Sequence, residues 1–368
     1  MNLNKSKFPP QVHEKAKIAP QLVFFLVIGA QIGVGILGFV RYIAIFVNQD
    51  SWLVVLAGGI GVHLIIWMMF SILNKHGGDI FNIHHQFFGK WLSIPLSSLL
   101  SIYYLGTAIV ILRTFIEAVQ NWMFPGIPTW TLSLFFAVLT LYIVTKGFRV
   151  ITGIAFFSFV LTVWIVFTHY FPIKHGYFIN LMPFIDHKLG EFYQAFKVMV
   201  LSFIGFEYLL AYYPHIQDPK KAQKWAHYGS ASTTIIYLIT TISTLMYFSP
   251  KQLQSLTWPT LQEWKIVTFP FVERFEYIGI SFFCIVILIN LVLAIWASCR
   301  ALNRIFDINI RLSVIPVSLI LFLAPAFFTT RFQVDELNNY TGKIGFYFLY
   351  AYIPLLFIIS IFKKGAKK

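Results

Sequence analysis

The segment "GAQIGVGILGFVR", residues 29–41, spaces three glycines as Gly33-x-Gly35-x-x-Gly38. Between a strand and a helix, that spacing cradles a dinucleotide pyrophosphate on backbone N–H groups. Here the preceding residues read "LVFFLVIGAQI", an uncharged membrane-type helix rather than a short strand. No acidic residue for a ribose follows on a partner strand, so the nucleotide reading is discarded. Two uses of the glycines remain. Either they let neighbouring membrane helices approach closely, or they interrupt a helix. An interruption leaves N–H and C=O groups unpaired and has to line a protected cavity. Gly33 lies about 18 Å of helix beyond Gln21, near mid-bilayer. A second half-helix starting near Ile36 would point its N–H groups inward, a setting suited to a carboxylate. On that reading Gly33, Val34, Gly35 and Ile36 contact a ligand through the main chain, N–H for a carboxylate and C=O for an ammonium.

A second stretch, "VMVLSFIGFEYLLAYYP", repeats the arrangement with Gly205 and Glu207. Phe203, Ile204, Gly205 and Phe206 either shape a pocket for a small ligand or are ordinary core residues in a chain with 40 Phe. Glu207 is a carboxylate deep in an apolar run, a costly placement that marks function. It binds an amine, carries a proton or holds water; the alternative is an ion pair with Lys197 or Arg113. Tyr103 and Thr107 share one face of the third apolar run, and Arg113 and Glu117 read as a pair further out. Asn290 is the amide in the middle of the eighth run. A buried amide needs partners, so it lines a pocket or bonds another helix. Arg41 is expected near Asn48 and Asp50, and His84 and His85 in an interfacial stretch. Glu273, Arg274 and Glu276 read as a salt-bridged anchor.

These residues need elements to position them. The chain has 368 residues, 58% hydrophobic and 11% charged, whereas soluble domains carry about 25% charged residues. The excess apolar surface requires lipid. A run of about 20 apolar residues crosses the hydrocarbon layer. Ten runs are predicted, at 21–46, 52–74, 91–121, 129–147, 150–171, 191–213, 227–248, 271–301, 312–331 and 342–362. The fold class is thus an all-α polytopic membrane protein. The ten runs divide five plus five, as repeats at 21–171 and 191–362 within one membrane domain, 21–362. Polar tails occupy 1–20 and 363–368. The basic tail at 1–20 lacks a signal-peptide core and cleavage site. With both termini cytoplasmic, the inner segments hold 18 Lys and Arg and the outer loops 7, the bias the positive-inside rule expects.

The net charge of +14 is then loop charge facing lipid headgroups, with no nucleic-acid motif behind it. Cys284 and Cys299 would stand about 22 Å apart on one helix and cannot bridge. No metal cluster, cofactor motif or nucleophile–base pair appears, so an enzyme is not expected.

The chain resembles the B subunits of GerA-type spore germinant receptors, a branch of the amino acid–polyamine–organocation permeases. The resemblance lies in "QIGVGIL", "YYLGTAIVILRTFIEAV", "FIGFEYLL", "DPKKA" at 218–222, "WPTL" at 258–261 and "VERFE" at 272–276. It implies a LeuT-like fold with broken first and sixth spans. It also implies a role in sensing a nutrient germinant, often an amino acid, at the endospore inner membrane. A larger membrane A subunit and a lipoprotein C subunit would be the partners. On family grounds Ser298 is a candidate for a sodium site, and the third span borders the ligand cavity. Proton-coupled relatives place a lysine in the fifth span; this sequence has none there.

Overall fold

The computed structural model describes residues 12–270 and 272–363; Lys5, Lys7 and the basic residues after 363 lie outside them. Helices α1 (Val23–Gln31), α2 (Phe39–Val47), α3 (Ser51–His76), α4 (Ile80–Trp122), α5 (Thr129–Lys146), α6 (Phe148–Thr162) and α7 (Tyr170–His175) form the first half. The second half contains α8 (Leu189–Phe203), α9 (Leu209–Tyr212), α10 (Pro219–Tyr247), α11 (Pro250–Ser255), α12 (Pro259–Trp264), α13 (Phe275–Phe306), α14 (Ile310–Leu323), α15 (Arg331–Tyr347) and α16 (Ile353–Phe362).

The long helices form because their sequences offer continuous apolar runs, and local signals end them. The Asp79 carboxylate caps α4 by accepting from Asn82 N–H (3.0 Å). Thr330 and Gln333 cap each other's backbone at the start of α15, and Ser249 and Gln252 do so at α11. Helix α4 bends at Gly89, which separates its first turns from its long apolar part. Both faces of α3 are apolar. Val55, Val62 and Ile66 are buried while Ile60, Leu64 and Trp67 are exposed, so the outward stripe meets lipid.

Among the described residues, eight helical stretches are long and apolar enough to cross a bilayer. The pair Leu189–Phe203 and Phe206–His215, bent by 54°, makes a ninth when taken as one span, and Pro20–Gln31 is a shorter apolar helix. The chain is an all-α polytopic membrane protein. Its elements pair across the two halves: α3 packs on α10, α4 on α13, α5 on α14 and α2 on α8. Cys284 and Cys299 are both free.

Three helices start well before their apolar runs, among them α4, at Ile80 rather than 91. Helix α10 begins at Pro219 rather than 227, and α15 at Arg331 rather than 342. The first turns of α10 and α15, "PKKAQK" and "RFQVDELNNY", are polar and invisible to an apolar-run criterion.

Gly205 permits a close backbone approach in the core. Its φ is +126°, and a Cβ there would overlap the Ala30 carbonyl. Both constraints exclude a side chain. Gly205→Ala is expected to destabilise the protein by about 2–4 kcal/mol, read as a lower midpoint of thermal unfolding in detergent. Gly126, with open space around it and an ordinary φ, is the control: its alanine variant should unfold with the wild type. Equal midpoints for the two variants would refute the close contact.

Candidate ligand site between two helix interruptions

Helix α1 stops at Gln31. Ile32 and Gly33 are extended, and a 3₁₀ turn, Val34–Leu37, leads through Gly38 into α2. Among the described residues, the N–H groups of Gly33, Val34 and Gly35 have no acceptor. On the carbonyl side, Asn290 Nδ2 donates to Gly29 O (3.0 Å) and Ile32 O (2.9 Å). Tyr237 Oη lies 2.8 Å from Gln31 O.

Helix α8 stops at Phe203, and the chain turns through Ile204 and Gly205 into a 3₁₀ turn at Phe206–Tyr208 and then α9. Glu207 closes this interruption from within. Its Oε2 accepts from Gly205 N–H (2.7 Å) and its Oε1 from Tyr103 O–H (2.9 Å). Tyr237 Oη is also 2.8 Å from Ser202 O, so one hydroxyl from α10 joins both interruptions. Gln31 joins them a second time, Nε2 donating to Phe203 O (3.3 Å). The Gln31 side chain is 2% exposed, yet its Oε1 has no partner among the described residues.

A cavity of about 110 Å³ opens between the two interruptions. One water needs only about 10–15 Å³ in that measure, so the space suits a small solute. Gly33, Val34, Gly35, Thr107, Ile204 and Asn290 line it, as the sequence suggested. Gln31, Ser202 and Tyr208 join them from beneath. The other six sequence candidates lie behind this wall. Ile36 gives its carbonyl to Thr260 O–H (2.9 Å). Phe203 packs its ring on Tyr237 (5.3 Å), and Phe206 is buried. Gly205 touches α1, and Tyr103 and Glu207 bond each other. Thr107 connects wall and support, with Oγ1 3.0 Å from Tyr208 Oη.

At one end of the cavity, the polar start of α15 supplies Arg331, Asp335, Asn338, Asn339 and Thr341. Arg331 pairs with Glu117 (2.8 Å) and Asp335 (2.7 Å), and donates to Tyr42 Oη (2.6 Å). Its guanidinium also lies over the Trp258 ring, 5.3 Å from the centroid. The expected Arg113–Glu117 pair is therefore not the one formed. Arg113 Nε donates instead to Phe328 O (2.5 Å), while Arg331 faces Glu117 from α15. Nor does either proposed cation reach Glu207, since Lys197 Nζ sits over the Tyr193 ring.

The remaining candidates take the following partners. His84 is buried within the protein, 3.0 Å from Ser97 Oγ and 2.8 Å from Tyr352 Oη. Arg41 donates to Gln254 O (3.1 Å), and Gln254 donates to Asn48 (3.1 Å). Asp50 turns instead to His187 (2.8 Å) and to the N–H groups of Ile185 and Asp186. Ser298 pairs with Ser101 (3.0 Å), and Arg274 with Glu276 (3.0 Å).

One buried cluster had no motif to announce it: His169 Nδ1 lies 2.8 Å from Ser243 Oγ and 3.2 Å from Glu263 Oε2. Thr240 Oγ1 is 3.0 Å from Nε2. All four residues are buried, the Thr240 hydroxyl also donates to Ile236 O (3.0 Å), and none of them lines the cavity. The cluster ties α12 to α10 and to the segment after α6.

Comparison with solved structures identifies the architecture. The chain superposes on a Na⁺-coupled sialic acid symporter with a TM-score of 0.70 at 11% identity, covering 98% of this chain and 82% of that one. It superposes on MhsT, solved in complex with L-phenylalanine, with a TM-score of 0.61 at 15% identity, covering 92% and 87%. MHP1, a nucleobase-cation-symport-1 family transporter, gives 0.64 at 14%, covering 96% and 80%. The fold is LeuT-like.

Sequence comparison is more specific. The chain is 39% identical over 353 residues to spore germination protein GerQB of Bacillus cereus, spanning 96% of this chain and 98% of that protein. It is 24% identical to spore germination protein A2 of Bacillus subtilis (strain 168), spanning 92% and 94%. Residues 17–334 match the family model described as spore germination protein. With that match over most of its length, the chain belongs to the spore germination protein family.

Proposed function

We propose that this chain is the permease-like subunit of a spore germinant receptor, binding a small nutrient, an amino acid, at mid-membrane. The observation that carries the reading is the pairing of unmet groups across the cavity. Unpaired N–H groups at Gly33, Val34 and Gly35 suit a carboxylate. The unpartnered Gln31 Oε1 suits an ammonium. Apolar walls at Val34, Val110 and Ile204 suit a side chain. Ile36, Tyr103, Phe203, Gly205, Phe206 and Glu207 support that wall from behind. Nutrient binding then shifts a conformational equilibrium through differential affinity for its two states.

The architectural part of the proposal is ten spans in a 5+5 inverted repeat within 21–362, with the first and sixth spans broken. The interruptions at Gly33 and Gly205 and the pairing of α3, α4 and α5 with α10, α13 and α14 support it. The charge bias supports cytoplasmic termini. By the family resemblance, the setting is the endospore inner membrane, and the partners are an A-type membrane subunit and a C-type lipoprotein. The second reading is an amino acid transporter working by alternating access, which the likeness in fold to symporters favours. Uptake of radiolabelled amino acid by proteoliposomes of this chain alone separates the two: turnover supports transport, and saturable binding without uptake supports sensing.

Two substitutions test the site. A Cβ at position 35 meets only Ser202, with its nearest atom at an ordinary 3.5 Å, so Gly35→Leu should fold while its side chain fills the cavity. Spores carrying it should contain normal amounts of the protein and lose the nutrient response. A wild-type dose–response would reject the cavity as the site. Gln31→Leu removes the ammonium acceptor and should weaken amino acid binding about 10–100-fold, measured by calorimetric titration of the purified protein with single L-amino acids. Unchanged affinity would remove Gln31 from recognition.

A further inference from the structure

Helix α1 ends inside the membrane with carbonyls that its own chain does not pair. Ile28 O still accepts from Ile32 N–H (2.9 Å). The extended backbone at Ile32 and Gly33 carries the following N–H groups away from Gly29 and its successors. A helix C-terminus concentrates partial negative charge, and low dielectric strengthens its pull on a positive charge. Three carbonyl oxygens converge there. Gly29 O and Ile32 O from α1 and Val286 O from α13 lie 3.0, 2.9 and 2.9 Å from a single atom, Asn290 Nδ2. Carbonyl oxygens gathered from two elements are what a hard cation takes as ligands. The atom at their focus here is an amide nitrogen. It is partially positive, carries two protons, and is tethered to α13 so that it cannot dissociate.

We infer that the Asn290 amide occupies the place of a monovalent cation and bridges α1 to α13 without an ion. Asn290 is a positioning residue that acts through the backbone of Gly29 to Gly33. Its Oδ1 closes the other side, since a Cβ at Gly33 would sit 3.0 Å from it; glycine and amide therefore hold each other in place. The groups that would compete as cation ligands are engaged elsewhere. Glu207 bonds Tyr103 and Gly205 at the second interruption, and Ser298 bonds Ser101. The consequence for recognition rests on the nutrient reading above: a ligand at this cavity binds without a co-bound Na⁺ or Li⁺. The seam itself stands on the carbonyl geometry alone.

The test uses the purified full-length chain in detergent and no nutrient, so its outcome is independent of what the cavity binds. Thermal unfolding is recorded in NaCl, LiCl, KCl and choline chloride at equal ionic strength. Wild-type midpoints should agree within about 1 °C, because no cation is linked to folding. Asn290→Ser should lower the midpoint by about 4–8 °C in choline chloride. NaCl or LiCl should restore at least half of that loss, saturably, by supplying the missing positive partner. Asn290→Asp keeps the side-chain size, adds a carboxylate to the carbonyls, and should show the same cation-selective recovery. Saturable stabilisation of the wild type by Na⁺ or Li⁺ would overturn the inference by revealing a resident ion. So would loss of stability in both variants that no salt repairs, which would reduce the amide to an ordinary helix cap.

Discussion

Hydrocarbon offers no hydrogen bonds, and a helix interrupted within it exposes peptide groups that must be satisfied by protein or by a solute. The interior of this molecule is organised around that constraint. Asn290 takes the Gly29 and Ile32 carbonyls. Tyr237 spans the Gln31 and Ser202 carbonyls, and Glu207 takes the Gly205 N–H. At the first interruption, among the described residues, the N–H groups of Gly33, Val34 and Gly35 are left unmet, and these residues line the cavity. On the proposed reading, recognition and folding draw on the same small set of backbone groups.

The two interruptions are unequal despite their similar layout. In the second, a carboxylate two residues beyond the glycine folds back on the chain and quenches its free amide. The first has no such residue, and its free N–H groups remain available. The difference comes from Glu207, two residues beyond Gly205, against Gly35, two residues beyond Gly33. The Arg331 cluster adds a polar cover at the α15 end of the cavity. It gathers Glu117 from α4, Tyr42 from α2 and Asp335 from α15, so three elements meet there.

The placement of polar residues in the rest of the core follows the same physics. The His169–Glu263 cluster and the bonds of Thr240, Ser243 and Thr244 keep the α11–α12 segment attached to α10 and to the stretch after α6. Thr260 from that segment reaches the Ile36 carbonyl. The α11–α12 segment is thereby coupled directly to the first interruption.

Much of this was legible in the residues. Continuous apolar runs declare membrane helices because lipid demands them, and glycines inside such runs mark where a helix yields. Gly33, Val34, Gly35 and Ile204 could be named for the cavity on those grounds, and Asn290 as a buried amide in need of partners, whereas Thr107 rested on the family's third span bordering the cavity. Gln31, Tyr237 and Arg331 could not. The importance of Gln31 lies in an oxygen left unpaired after its nitrogen meets Phe203, a fact about distant partners. Tyr237 matters because α10 crosses both interruptions, and Arg331 because the polar first turns of α15 continue a helix that hydropathy places in a loop. Sequence alone determined that the chain enters a bilayer and where its helices weaken. Only the packing of one half against the other decided which peptide groups stay unpaired, because hydrogen bonding is settled by proximity in space rather than by order along the chain.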